Sequence, residues 1–150
     1  TGLLNRRSFM IDLMRRFESP PRSQEVLEIF TKALNNFTID DGLMLVPITE
    51  MTDRDAIAQV ADFLLPTEGV NIVITYGVRM SKVIISARST NESIHLGRTL
   101  SNLFESGSAG GHKALAGGQI SFEQLDASNE IEAIENITQI LSSAFGGDKL

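Results

Sequence analysis

Val70-Asn-Ile-Val-Ile-Thr-Tyr-Gly-Val-Arg-Met-Ser-Lys-Val-Ile-Ile-Ser-Ala-Arg-Ser89 is the stretch on which the fold of this chain turns. Val70 to Tyr76 and Lys82 to Ser89 are rich in β-branched residues and flank a short connection around Gly77 to Ser81. That pattern predicts an antiparallel hairpin. Side chains alternate across a strand, so Val83, Ile85 and Ala87 share one face while Ile84, Ser86 and Arg88 share the other. An arginine on an apolar face either snorkels at the rim of the sheet or is aimed into a site.

Towards the N-terminus, Leu43 to Ile48 reads as a further strand after the turn Asp40-Asp41-Gly42. Thr52, with Asp55 three residues on, marks the start of a helix that buries Ile57, Val60, Ala61, Leu64 and Leu65 and stops at Pro66. Before the turn lie two helical patterns. Asn5 to Phe17 carries Phe9, Leu13 and Phe17 at helical spacing. Ser23 caps a second helix with Val26, Leu27, Phe30, Ala33, Leu34 and Phe37. Towards the C-terminus, Ile94 to Phe104 reads as a helix that accepts Gly97 at a cost of about 1 kcal/mol relative to alanine, for which close packing is one reason. Lys113 to Ala116 reads as a short helix or turn, Gln119 to Phe122 as a strand, and Asn129 to Phe145 as a helix with the stripe Ile131, Ile134, Ile137, Leu141 and Ala144. The expectation is an α/β domain. It holds a mixed sheet of four to five strands flanked by helices, over residues 41–150, preceded by a two-helix connector over residues 1–40.

Between that helix and the next strand runs Gly107-Ser-Ala-Gly-Gly-His-Lys-Ala-Leu-Ala-Gly-Gly118. Dense glycine permits positive φ and close backbone approach, and successive N–H groups converge on anions in a nest. His112 and Lys113 add a titratable donor and a fixed charge. Ser86, Arg88 and Ser89 form a second anion-binding group at a strand end. The two groups, brought together by the returning helix, predict a phosphate site of Arg88, Ser86, Ser89, Gly110, Gly111, His112 and Lys113.

Composition narrows the classes. The chain has 150 residues, 42% of them hydrophobic, enough for one good core. No run of about 18 apolar residues predicts a membrane span. No signal peptide is visible. The absence of cysteine excludes disulfides and thiolate metal sites and fits a cytoplasmic protein. The start at Thr1 and the helical prefix suggest a piece of something longer. Net charge is −6, which disfavours a broad nucleic-acid-coating surface. Five arginines lie within residues 1–22 against Asp12 and Glu18, reading as a solvated helix face. Arg88, Arg98 and Lys113 are the cations near the glycine run. That run lacks the ending of a P-loop and the Gly-x-Gly-x-x-Gly fingerprint. With only His95 and His112, no metal-ligand spacing appears, and His95 is expected at the surface. Asp40-Asp41 is turn chemistry rather than a carboxylate pair.

The Ser-x-Arg-Ser strand end at Ser86 to Ser89, the amphipathic helix and Gly110-Gly111-His112-Lys113 together resemble the C-terminal substrate-binding domain of the DHH phosphoesterase superfamily. The likeness covers roughly residues 42–145. Ser108 and Ala109 stand where the family often has further glycines. The superfamily includes oligoribonucleases, phosphoadenosine phosphate phosphatases, exopolyphosphatase-like proteins and single-strand exonucleases, and a related domain closes alanyl-tRNA synthetases. The resemblance implies that Arg88 and the Gly110-Gly111-His112 motif grip phosphate. It implies a substrate such as a short oligonucleotide, a nucleotide or polyphosphate. It also implies a manganese-binding DHH domain as partner, with no cofactor and no catalytic residue in this chain, His112 contributing to turnover only in the full-length protein. The alternative is a non-catalytic module for nucleotides or single-stranded nucleic acid. Scarce aromatic platforms weigh against strand coating: one tyrosine, no tryptophan, and phenylalanines mostly expected in the core. A homo-oligomer stays open.

Overall fold

The computed structural model describes residues 6–8, 10, 23–49 and 53–146. Arg6 to Ser8 and Met10 are helical; the rest of the first expected helix, and Thr52 at the expected start of the helix that stops before Pro66, lie outside the described residues. The elements that follow are α1 (Gln24–Asn36), β1 (Thr38–Asp40), β2 (Leu43–Ile48), α2 (Arg54–Leu64), β3 (Ile72–Arg79), β4 (Lys82–Ser89), α3 (Leu96–Leu103), β5 (Ala109–Gly111), β6 (Leu115–Ser121) and α4 (Glu130–Phe145).

The strands form one six-stranded mixed sheet in the order β1-β2-β3-β4-β6-β5. Only β2 and β3 run parallel, joined by the α2 crossover; every other neighbouring pair is antiparallel. The expected hairpin is β3–β4, and it turns on Met80 and Ser81, whose φ angles of 53° and 59° are both positive. That pair of left-handed residues matches the right-handed twist of the two strands.

Each sheet face carries its own core. On one face, Ile29, Phe30 and Ala33 of α1 and Ile57, Val60, Ala61 and Leu64 of α2 cover Val46, Val73 and Ile84. On the other, α3 and α4 cover Ile74, Tyr76, Ile85 and Ile120. Each such aliphatic side chain taken fully from water contributes about 1.5–3 kcal/mol. Phe30 and Phe63 meet edge to face at 5.6 Å, tying α1 to α2. Residues 24–40 therefore share a core and a sheet with residues 41–145.

Helix starts follow local chemistry. Ser23 Oγ accepts from the Val26 N–H at 3.2 Å, and Asp53 Oδ1 from the Asp55 N–H at 2.9 Å. Asn129 Oδ1 accepts from the Glu132 N–H at 2.9 Å, and the Glu132 carboxylate reaches back to the Ser128 N–H. Helix α4 buries Ala133, Ile137, Leu141 and Phe145, while Ile131 is 72% exposed, so the packed stripe is rotated from the expected one. Residues one helical turn apart, starting at the small Ala133, let the helix approach the sheet closely. No described helix is long and apolar enough to cross a membrane.

Candidate phosphate site

The register of β4 delivers Ile84, Ser86 and Arg88 to the face that α2 crosses. Their partners on β6 are Gln119, Gly117 and Leu115, and Gly117 in turn pairs with Gly110 on the edge strand β5. Among the strands, helix α2 packs chiefly on β3 and β4, so the β6-β5 end of this face has no helix over it among the described residues. The result is a ledge floored largely by main chain. A cleft of about 310 Å³ there is lined by Ser86, Arg88, Gly110, Gly111 and His112, with Arg54 of α2 on its rim.

Arg88 is the anchor. It is only 9% exposed. Its Nε donates to Asp62 Oδ1 at 2.7 Å, and its Nη1 donates to the Ala87 carbonyl at 3.0 Å. A guanidinium has five N–H donors, so three make no hydrogen bond to the described residues within a largely buried group. Asp62 lies near the C-terminal end of α2 with its side chain 64% exposed, where a carboxylate is disfavoured by the helix dipole. The arginine offsets that cost, and the carboxylate in return fixes the arginine's rotamer.

The glycine segment is strand rather than nest. The Gln119 N–H donates to the Ser108 carbonyl and the His112 N–H to the Leu115 carbonyl. Antiparallel alternation then makes Gly110–Gly117 a bonded pair and leaves the Gly111 N–H outside that ladder. What the glycines contribute is a bare floor and a tight fit to α3. Gly111 has φ +142°, and an added Cβ there would lie 2.8 Å from the Ala116 Cα. A Cβ on Gly97 would lie 2.1 Å from the Gly111 carbonyl oxygen, so close packing is indeed what the helix glycine permits.

That fit holds His112 at the cleft rim. The Gly97 N–H donates to the His112 carbonyl at 2.9 Å, and the Leu96 N–H to that of Lys113 at 3.0 Å. Ser89 N–H donates to the Ala114 carbonyl at 3.0 Å. The turn between β5 and β6 is thus fastened to the α3 N-terminus and to the end of β4. His95, expected at the surface, is half-buried and caps α3, its Nδ1 accepting from the Arg98 N–H at 3.1 Å.

Ser89 and Lys113 do not join this cleft. Ser89 Oγ accepts from the Asn91 N–H, and both residues line a neighbouring cavity of about 430 Å³. Arg98 is exposed and lines neither cavity. Sequence reasoning missed Arg54, Asp62, Leu115 and Gly117; of these only Gly117 carried a signal, as part of the glycine run. Among the described residues, no three His, Asp or Glu side chains gather into a set that fits a metal ion.

The model of the DHHA1 domain family matches residues 41–144. An uncharacterised protein of Methanocaldococcus jannaschii is 30% identical over 128 residues; the match takes in 85% of this chain but spans only 26% of that relative. Among solved structures, an exopolyphosphatase-related protein from Bacteroides fragilis is similar with a TM-score of 0.65 at 18% identity, over 87% of this chain and 38% of that one. RecJ from Thermus thermophilus, solved with Mg2+, gives a TM-score of 0.51 at 15% identity, over 81% of this chain and 17% of that one. The C-Ala domain of Aquifex aeolicus alanyl-tRNA synthetase gives 0.50 at 18%, over 71% of this chain and 98% of that one. At such identities these structures speak for the fold. With the family model covering strands β2 to β6, the glycine segment and nearly all of α4, the chain belongs to the DHHA1 domain family.

Proposed function

We propose that this chain is the substrate-binding domain of a metal-dependent phosphoesterase, acting beside a DHH domain on short oligonucleotides, nucleoside bisphosphates or polyphosphate in the cytoplasm. One observation carries the reading: a largely buried arginine with three donors unused among the described residues lines a main-chain-floored cleft that also holds His112. Buried donors need partners, and a phosphate supplies several acceptors to one guanidinium. Ser86 and the edge N–H of Gly111 add neutral donors, and His112 donates from the rim. Residues 1–40 serve as the connector to the catalytic domain, with α1 as its docked end. In such enzymes bound metal ions activate water and stabilise the leaving oxygen. On this reading, this chain's part is to bind and orient the phosphate through Arg88, Ser86 and His112.

The test compares phosphoester hydrolysis by the chain alone and by the same chain joined to a DHH domain, each with manganese. Hydrolysis by the joined protein that falls on Arg88→Ala is expected, with none by the chain alone. Turnover by the purified chain alone, on the order of 1 per second or faster, contradicts the assignment. A second reading, a non-catalytic binding module, draws on the likeness to the C-Ala domain. Ligand binding that depends on Arg88 in a protein inert in both forms favours it.

A further inference from the structure

The cleft at Arg88 does not end at Gly117. Two more cavities, of about 640 Å³ and 460 Å³, continue along the same sheet face, and Arg54 lines all three. The middle one is floored by Gly117 and Gly118 and reaches Lys82. The outermost is lined by Arg54, Arg79, Met80, Lys82, Ile84 and Gln119. Together they make one groove running along β4 from Arg88 to Lys82, roughly 20 Å at the usual rise of a strand. One phosphate fills only one end of it.

The far end is charged in a way that folding does not favour. Arg79 and Lys82 stand directly opposite each other in the β3–β4 register, on the same sheet face, and like charges so placed repel. Arg54 sits in the first turn of α2, where the helix dipole disfavours a cation. All three are exposed, and none makes an ion pair among the described residues. Asp53 and Asp55 flank Arg54 in sequence, but neither lines the groove. In a chain of net charge −6, three cations without an ion pair among the described residues gather around one groove end, a charge arrangement that favours an anion.

We propose that Arg54, Arg79 and Lys82 form a second, outer anion subsite, so that the groove takes a linear ligand carrying successive phosphates. The inner end rests on the phosphate reading above; the outer end rests on the charge arrangement alone. Successive phosphates occur both in inorganic polyphosphate and in a nucleic-acid backbone. The groove's main-chain floor suits either.

Titration calorimetry on the 150-residue chain tests this with two series of rising length, inorganic polyphosphates from pyrophosphate upward and 5′-phosphorylated oligothymidylates. In at least one series, affinity rises roughly ten-fold once the ligand spans the groove, the worth of about two exposed charge contacts. The series that shows the rise identifies the source of the phosphates. The double variant Arg79→Ser, Lys82→Ser removes the rise and leaves pyrophosphate binding unchanged. Arg98→Ser, which removes a cation outside the groove, leaves the rise intact. Affinity independent of length, or an equal loss in the Arg98 control, overturns the outer subsite and leaves the inner reading standing. Pyrophosphate binding that ignores Arg88→Ala sinks the inner reading instead, while the effect of the outer variants on long ligands still decides the outer one. Absence of binding in both series overturns both.

Discussion

At the residue scale, the behaviour of the site reduces to what holds Arg88 and what it still has to offer. Arg88→Ala is expected to weaken binding of a phosphate ligand by about 1.5–3 kcal/mol, the range for hydrogen bonds to charged groups, read by calorimetry. Asp62 affects the same arginine in two opposing ways, by fixing its rotamer and by neutralising its charge. The carboxylate is 64% exposed, so the Coulomb part is screened and positioning wins. Asp62→Ala should therefore lower phosphate affinity, by less than Arg88→Ala, and Asp62→Asn should restore most of it because the amide oxygen still accepts from Nε. Tighter binding by the alanine variant would show that charge neutralisation dominates. Arg88 was legible because strand alternation fixes its face. Asp62 was not, since nothing local links it to a residue 26 positions away. Ser89 was misplaced because the same alternation turns it away from Arg88. Elsewhere, Tyr76 is buried and its hydroxyl meets Thr138 Oγ1 at 2.6 Å, while Thr138 itself donates to the Ile134 carbonyl. Burial raises the phenol above its usual 10.0. The folded state thus keeps the proton that the unfolded chain releases, so this group's contribution is intact below about pH 10 and is lost as pH rises beyond it. Tyr76→Phe should cost about 0.5–1.5 kcal/mol in urea unfolding at pH 8 and flatten the alkaline loss of stability. An unchanged alkaline slope would show that Tyr76 does not govern it.

At the scale of elements, the docking of α3 on β5 decides whether the site exists. Gly97→Ala gains about 1 kcal/mol in helix propensity. Against that, its Cβ would strike the Gly111 carbonyl at 2.1 Å and displace the Gly97 and Leu96 N–H donors from His112 and Lys113. Overpacking costs about 1–3 kcal/mol and each lost hydrogen bond about 1. A net destabilisation of about 2–4 kcal/mol is expected, with a loss of phosphate affinity because the His112 turn moves. Gly110→Ala is the control. Its Cβ would meet nothing nearer than 3.8 Å, so stability should stay within about 0.5 kcal/mol. Equal melting temperatures for both variants would refute the docking argument. The same segment shows why elements differed in legibility. Lys82 to Ser89 declares itself by β-branching and alternation, and β4 has those bounds. Strand β5 is Ala-Gly-Gly and β6 opens Leu-Ala-Gly-Gly, and glycine and alanine carry no period, so only Gln119 onward was readable. Strand β1 is three residues long beside a strong turn signal, and it is held by pairing with β2 rather than by its own preference. In α4 both candidate stripes share Ile137 and Leu141, and the packed one adds Ala133 and Phe145 in place of Ile131, Ile134 and Ala144.

At the scale of the whole molecule, two cores on opposite faces of one sheet leave the β6-β5 end of one face without a helix among the described residues, and the cations Arg54, Lys82 and Arg88 gather there in a chain of net charge −6. The mixed α/β class followed from the order of strand and helix patterns. The reach of α2, which determines where the ledge lies, came from tertiary packing and had no sequence signature. The central claim is that this ledge binds phosphate through Arg88 and the β5–β6 turn. Its most direct test is a two-dimensional 1H–15N NMR titration of the chain with a 5′-phosphorylated dinucleotide, following backbone amides and the Arg88 Nε–H. Shifts concentrated at Ser86, Arg88, Gly111, His112 and Gly117, and abolished by Arg88→Ala, are the predicted result. Shifts that leave these residues untouched, or that persist unchanged in Arg88→Ala, would contradict it.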